Sequence, residues 1–349
     1  MIQHLKLCGG FWLSYLHGSV RWLGRATRAS RHSGRLAGSH FSGKRLIGFY
    51  SDNQAACGQA LEIAPIHTSR SIANPATKLS GPDFNCKFTE KPNWIALFSI
   101  DVLVGNINAL AVLAVDNFDA YIPVFRSTNA GILLRYKSAK GSWDSGYQTR
   151  SLMWSIRDLS CWMNEKGIWP ETNIQCELDS VLLGFGSIWS IPVGSRNETL
   201  DASSISQAPN VAKRAAPNAE IKISKLEVVV DGPRFVPFDI YFIFIKILIA
   251  LAEVDPDEHP TTITVYNRRV DLGFAIGPTS EEASNLLTAR YIIAAIADLA
   301  QDLANIRNRE AQWKQFSFLI DNDGRHIGQG VLKKGRIPSP ESNFDVGLA

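Results

Sequence analysis

Arg290–Leu303, RYIIAAIADLAQDL, places apolar residues at Ile292, Ile296, Leu299 and Leu303. That i, i+4, i+7, i+11 spacing makes one face of an α-helix. The same stripe occurs upstream in Arg150–Met163, RSLMWSIRDLSCWM, at Leu152, Ile156, Leu159 and Met163. The two stretches also share Arg150/Arg290, Ile156/Ile296, Asp158/Asp298 and Leu159/Leu299. One packing solution is therefore expected twice.

Working outward, similar elements flank both helices. Before the first lie an apolar segment, Ile95–Val115, and a hairpin candidate, Ala120–Phe125 with Ile132–Tyr136. After it come alternation at Ile174, Cys176 and Leu178, and a strand at Val181–Trp189. The second set opens with a β-branched strand, Ile221–Val230, and the most apolar window of the chain, Val236–Val254. A hairpin through Ile263, Val265, Val270, Leu272, Phe274 and Ile276 follows, then a helix start at Thr279–Glu282. Alternation at Phe316, Phe318 and Ile320 ends in the turn Asp321–Gly324, and His326–Leu332 returns. Three smaller echoes fit: Val115–Asp116 with Val254–Asp255, Leu178–Asp179 with Ile320–Asp321, and Gly184–Gly186 with Gly328–Gly330.

The expected fold is α+β: a tandem duplication of an α-β-β-α-β-β unit, with antiparallel sheets packed against helices and free to join around a pseudo-two-fold axis. The expected divisions are a basic leader or arm at 1–50, an irregular Pro-punctuated segment at 51–92 with a short strand near Ala60–Ala64, and repeat units at 93–192 and 221–335. A linker at 193–220 separates the units, and a tail occupies 336–349.

Charge is unevenly placed. Residues 1–51 hold eight Lys or Arg and no Asp or Glu, which leaves 28 basic against 33 acidic residues in the rest. A mildly acidic body lacks the overall footprint of a nucleic-acid binder, so nucleic acid is not expected on it. The acid-free, Arg- and Ser-rich start has the composition of a mitochondrial transit peptide, without which a cytoplasmic location is expected. The window Val236–Val254 carries Asp239, Lys246 and Glu253, seven residues apart on one ribbon. A charge near a bilayer centre costs about 2.5–3.5 kcal/mol, so a helix buried in protein is expected and a transmembrane span is not; peripheral membrane contact stays open.

The five cysteines, Cys8, Cys57, Cys86, Cys161 and Cys176, form no C-x-x-C pair. They point to a reducing or neutral compartment, with Cys161–Cys176 the one bridge considered. No metal site and no cofactor are expected. The Gly-x-Gly pairs open no helix and are not a nucleotide fingerprint. Asp321–Gly324 lacks the Gly and Glu of a calcium loop, since His326 and Leu332 stand at those places.

Chemistry-bearing candidates are few. His259, His326, Asp257 and Asp321 are the acid–base set for an enzyme with a dispersed site. Arg150 and Arg290 flank the helical stripes. Tryptophans are dense in the first unit, where Trp143, Trp154 and Trp162 stand with Trp169 and Trp189 among the nine of the chain. With Arg150 and Arg290 these make a candidate ligand surface. The leading expectation is a non-catalytic binding module for a protein or apolar ligand. The alternatives are an enzyme of unknown reaction and an organellar or membrane-peripheral factor.

Overall fold

The computed structural model describes residues 4–7, 11–16, 19–23, 62–63, 84–139, 147–191, 221–306 and 312–338. The chain divides into two units, Met1–Ile47 and Gly48–Ala349. In the first, β1 (His4–Leu7), β2 (Phe11–Leu16) and β3 (Ser19–Leu23) form an antiparallel sheet.

The second unit is built on the two most apolar helices, α1 (Ser99–Ala114) and, from the second half, Pro237–Leu251. Every residue of α1 from Val102 to Ala114 is buried, and so is nearly all of Pro237–Leu251. A helix apolar all round must be enclosed on every side, and two layers do this. In the first half, β5 (Phe84–Glu90), β7 (Val124–Asn129), β8 (Ile132–Ser138), β10 (Thr172–Leu178) and β11 (Val181–Ser190) make a five-stranded antiparallel sheet in the order β5-β10-β11-β8-β7. Helix α2 (Thr149–Lys166) completes that half, and the short strands β6 (Tyr121–Ile122) and β9 (Tyr147–Gln148) pair beside it.

The second half follows the same route. It consists of β12 (Ile221–Val228), α3 (Pro237–Leu251), β13 (Ile263–Asn267), β14 (Leu272–Pro278), the short α4 (Glu281–Ser284), α5 (Ala289–Asn305), β15 (Phe316–Asn322) and β16 (Arg325–Lys334). Its sheet runs β12-β15-β16-β14-β13, with β4 (Glu62–Ile63) added at the β13 edge. Apart from β4, the strand orders coincide. Helix α1 packs on β7 and β8 and also against α3 and α5, so the helices lie between the two sheets.

These observations support the α+β reading with antiparallel sheets and correct several details. Among the described residues the two sheets stay separate. Each half opens with a strand, so its order is β-α-β-β-α-β-β. Strand β5 lies in the segment read as irregular, where Pro82 and Pro92 obscured the alternation of inward Phe84, Cys86 and Phe88 with outward Asn85, Lys87 and Thr89. The apolar segment Ile95–Val115 is not uniform: Leu97 N–H donates to Trp169 O at 2.7 Å and the helix begins only at Ser99. Ser280 caps only α4, accepting from Ala283 N–H; α5 has its own cap, Thr288, accepting from Tyr291 N–H. Two echoes are a little out of register. Bulges fall between Cys176 and Glu177 and between Ile320 and Asp321, which aligns the turn Asp179–Ser180 with Asp323–Gly324.

Cys176 bridges Cys86, a directly opposed residue of β5, and not Cys161, the one partner considered from the sequence. Cys161, on α2, is also disulfide-bonded. Register decides the pairing, since strand neighbours bring the β-carbons within reach.

The paired glycines serve packing. A Cβ on Gly186 would lie 2.6 Å from the Tyr136 ring, and one on Gly330 would enter the ring of Phe318. Both rings are fully buried. Gly186→Ala and Gly330→Ala should each lower stability by about 1–3 kcal/mol in urea titrations. Gly105→Ala, in α1 with its nearest neighbour 3.7 Å away, should be neutral or gain about 0.5–1 kcal/mol.

Candidate functional site

The first candidates sit where each central helix hands the chain to its outer helix. After α1, Asp119 N–H donates to Asn117 Oδ1; after α3, Asp257 N–H donates to Asp255 Oδ1. Thr149 and Arg150 N–H then donate to Ala120 and Phe118 carbonyls, and Ala289 and Arg290 N–H to Glu258 and Pro256 carbonyls. On this frame Arg150 meets Asp119 at 3.3 Å and Arg290 meets Asp257 at 3.0 Å. Both carboxylates are well exposed, at 67% and 75%. These pairs hold a loop to a helix start, and exposed pairs of this kind contribute little energy. The geometry gives Arg150, Arg290 and Asp257 a structural role.

A second cluster is buried. Arg157 donates to the Asp158 carboxylate through Nε at 2.7 Å, and Lys246 of α3 lies near both at 3% exposure. Burial drives the Lys246 ammonium down to about 8, Arg157 adds to this, and Asp158 opposes it. Burial likewise pushes the Asp158 carboxyl up, with Arg157 pulling it back. The Lys246 ammonium also lies 5.3 Å from the Phe242 ring centre. The matching aspartate of the second half, Asp298, accepts instead from Ile223 N–H at 2.9 Å.

The third site pairs two of the acid–base candidates. Asp321 and His326 are cross-strand partners beside the β15 bulge, and His326 Nδ1 lies 2.5 Å from Asp321 Oδ1. Asp321 is only 7% exposed while the His326 side chain is 57% exposed, so a buried carboxylate orients an imidazole open to solvent. Thr279 Oγ1 donates to His326 O at 3.1 Å. Thr279 also lines a cleft of about 580 Å³ with Thr261, Thr262, Ser280, Ser284 and Gln329. Within the described residues, no hydrogen bond or ion pair links Asp257 or the exposed His259 to this pair. Among the described residues no group of three or more His, Cys, Asp or Glu gathers as a metal site. No described helix is long and apolar enough to cross a membrane.

The tryptophans do not converge. Trp154 packs edge-on to Phe84 at 5.4 Å, and Trp162 lies against Phe88 at 5.5 Å with the Lys166 ammonium 4.6 Å from its ring centre. Both fix α2 to β5. Trp143 lies outside the described residues.

One surface escapes a reading of the sequence alone. Inward positions of β11 are Gly184, Gly186 and Ile188, so Phe185, Ser187 and Trp189 point away from the helices. On the flanking strands the outward residues include Lys87, Lys91, Arg126, Arg135 and Lys137. None of the five cations forms an ion pair among the described residues. Phe185 is 51% exposed, and Lys91 caps Trp189 at 4.4 Å. The alternation in ILLRYK at β8, with Arg135 and Lys137 outward, was the available signal; it needed the strand order before it could be joined to β11.

Comparison with models of known protein families, with curated proteins and with solved structures found no match.

The buried lysine gives a pH test. Between about 8 and the unfolded value of about 10.4 the unfolded chain binds the Lys246 proton and the folded chain does not, so this group makes stability rise with pH across that window. Below it the cost of the buried cation is fully present. Lys246→Met should therefore stabilise the protein at pH 7 by about 1–4 kcal/mol, and the gain should shrink towards pH 10.5 in denaturant titrations. A constant gain across that range counts against the assignment.

Proposed function

We propose that the protein is a non-catalytic binding module built from two diverged copies of a β-α-β-β-α-β-β unit. The duplication is supported by the shared strand order, by bulges at matching places on β10 and β15, and by the recurrence of the same backbone bonds after α1 and α3. In the same way, Glu171 accepts from Ser190 N–H where Gln315 accepts from Lys334 N–H. Divergence explains why chemistry differs between copies while packing does not.

The observation that carries the binding reading is the outer face of the first sheet. It sets an exposed Phe185 at the centre of five strands, where a side chain contributes nothing to the core. In the second sheet the chain beyond β16 folds over the corresponding surface, with Ile337 against Gly273. An exposed aromatic on a rigid sheet offers large contact area at low entropic cost. The basic residues 1–50 support delivery to an organelle.

A second reading is favoured by the Asp321–His326 pair beside the hydroxyl-lined cleft: an acid–base enzyme in which Asp321 orients the imidazole and His326 moves the proton. The two readings separate in one comparison. A photo-reactive phenylalanine analogue at position 185 should yield a discrete adduct in producing cells, whereas the analogue at Glu282 should not. Equal adducts from both positions would overturn the binding face. Turnover of ester, phosphate or glycoside substrates that disappears in His326→Ala would favour the enzyme.

A further inference from the structure

We infer that the outer face of the first sheet is a docking surface for single-stranded nucleic acid, an inference that rests on the binding reading above and names its partner.

The register lays the face out row by row. One row runs Lys87, Gln175, Phe185, Lys137, Val124 across β5, β10, β11, β8 and β7. The next runs Thr89, Asn173, Ser187, Arg135, Arg126. Beyond it Lys91 lies over Trp189, with Leu133 and Thr128 following. At about 4.8 Å per strand the five strands span roughly 19 Å, and Phe185 and Trp189 stand about 13 Å apart along β11. An aromatic centre is thus bordered by cations on both sides and interleaved with amides and hydroxyls.

Charge complementarity selects the partner. Arg126 and Arg135 face each other directly across β7 and β8, and Lys137 is the next outward residue along β8. Like charges opposed in a sheet destabilise it, so the arrangement calls for an external anion. Of the acids described at this face, Glu171 accepts from Ser190 and Glu177 from Gln175, and neither pairs with the arginines. The small net charge of the whole chain conceals this placement. Polyanions in general would satisfy the cations; the exposed ring of Phe185 adds a platform for an unpaired base. Aromatic residues on a sheet stack bases in this way, while flanking Lys and Arg follow the phosphates. A duplex buries its bases and offers no ring to Phe185.

The test uses the full-length chain and a fluorescein-labelled twenty-nucleotide uridine RNA, read by anisotropy. Phe185→Ala should weaken binding about tenfold or more, and Phe185→Tyr should restore it. Arg135→Ala with Lys137→Ala should flatten the salt dependence by about 0.7 in log–log slope for each phosphate left without its cation. All four side-chain changes lie on the outer face, so thermal melting should match the unaltered protein. Binding unchanged by Phe185→Ala would place it in the basic residues 1–50 and overturn the inference. So would equally tight, Phe185-dependent binding of heparin or of phosphatidylserine vesicles. Absence of RNA binding alongside a protein or glycan adduct from position 185 would sink the nucleic-acid inference and leave the binding module standing. Absence of both RNA binding and any adduct would sink both.

Discussion

Two helices that cannot meet water set the terms for the rest of the second unit. α1 and α3 are buried along nearly their whole length, including Asn106, Asn108 and Lys246. Amphipathic helices could have covered one sheet each and left a wet outer side. Helices apolar on all sides need a sheet on one side and another pair of helices on the other. That requirement puts α1 against both α3 and α5, and makes each half incomplete without its counterpart. The half-units are joined by the core itself.

Several polar groups trapped in that core are placed with partners, while Asn106 Oδ1, Ser127 Oγ and the Tyr147 hydroxyl find none among the described residues. Asn106 Nδ2 donates to Ser160 Oγ at 2.9 Å, and Ser160 donates to Ile156 O, tying α1 to α2. Tyr241 hydroxyl donates to Ala300 O, tying α3 to α5. Lys246 is a costly group of another kind, held near Asp158 yet pushed towards its neutral form by burial. The outer surfaces face weaker constraints. There one sheet keeps a face of cations and aromatics, and the other carries an oriented imidazole beside a cleft.

Much of the fold was legible because inward positions obey simple periods. The stripes of α2 and α5, the buried window of α3 and the Asp321–Gly324 turn all follow from spacing and turn chemistry. Strand β5 is harder to see because its alternation is short and framed by prolines. The sites were harder still. Asp321 and His326 are both legible as acid–base residues, yet their contact depends on a bulge that local sequence does not specify. The emphasis on Trp154 and Trp162 follows residue type, whereas both pack helix onto strand.

The sequence by itself determined the element types and one packing motif used twice, because hydrophobic period is a local property of the chain. Only the tertiary structure decided that the sheets stay separate, that Cys176 bridges Cys86, and that Phe185 shares a face with Arg135, Lys137 and Lys87. Those facts depend on strand order and register, which bring together residues as far apart as Lys87 and Phe185. Strand neighbours are chosen by enclosing α1 and α3, and that choice belongs to the whole core.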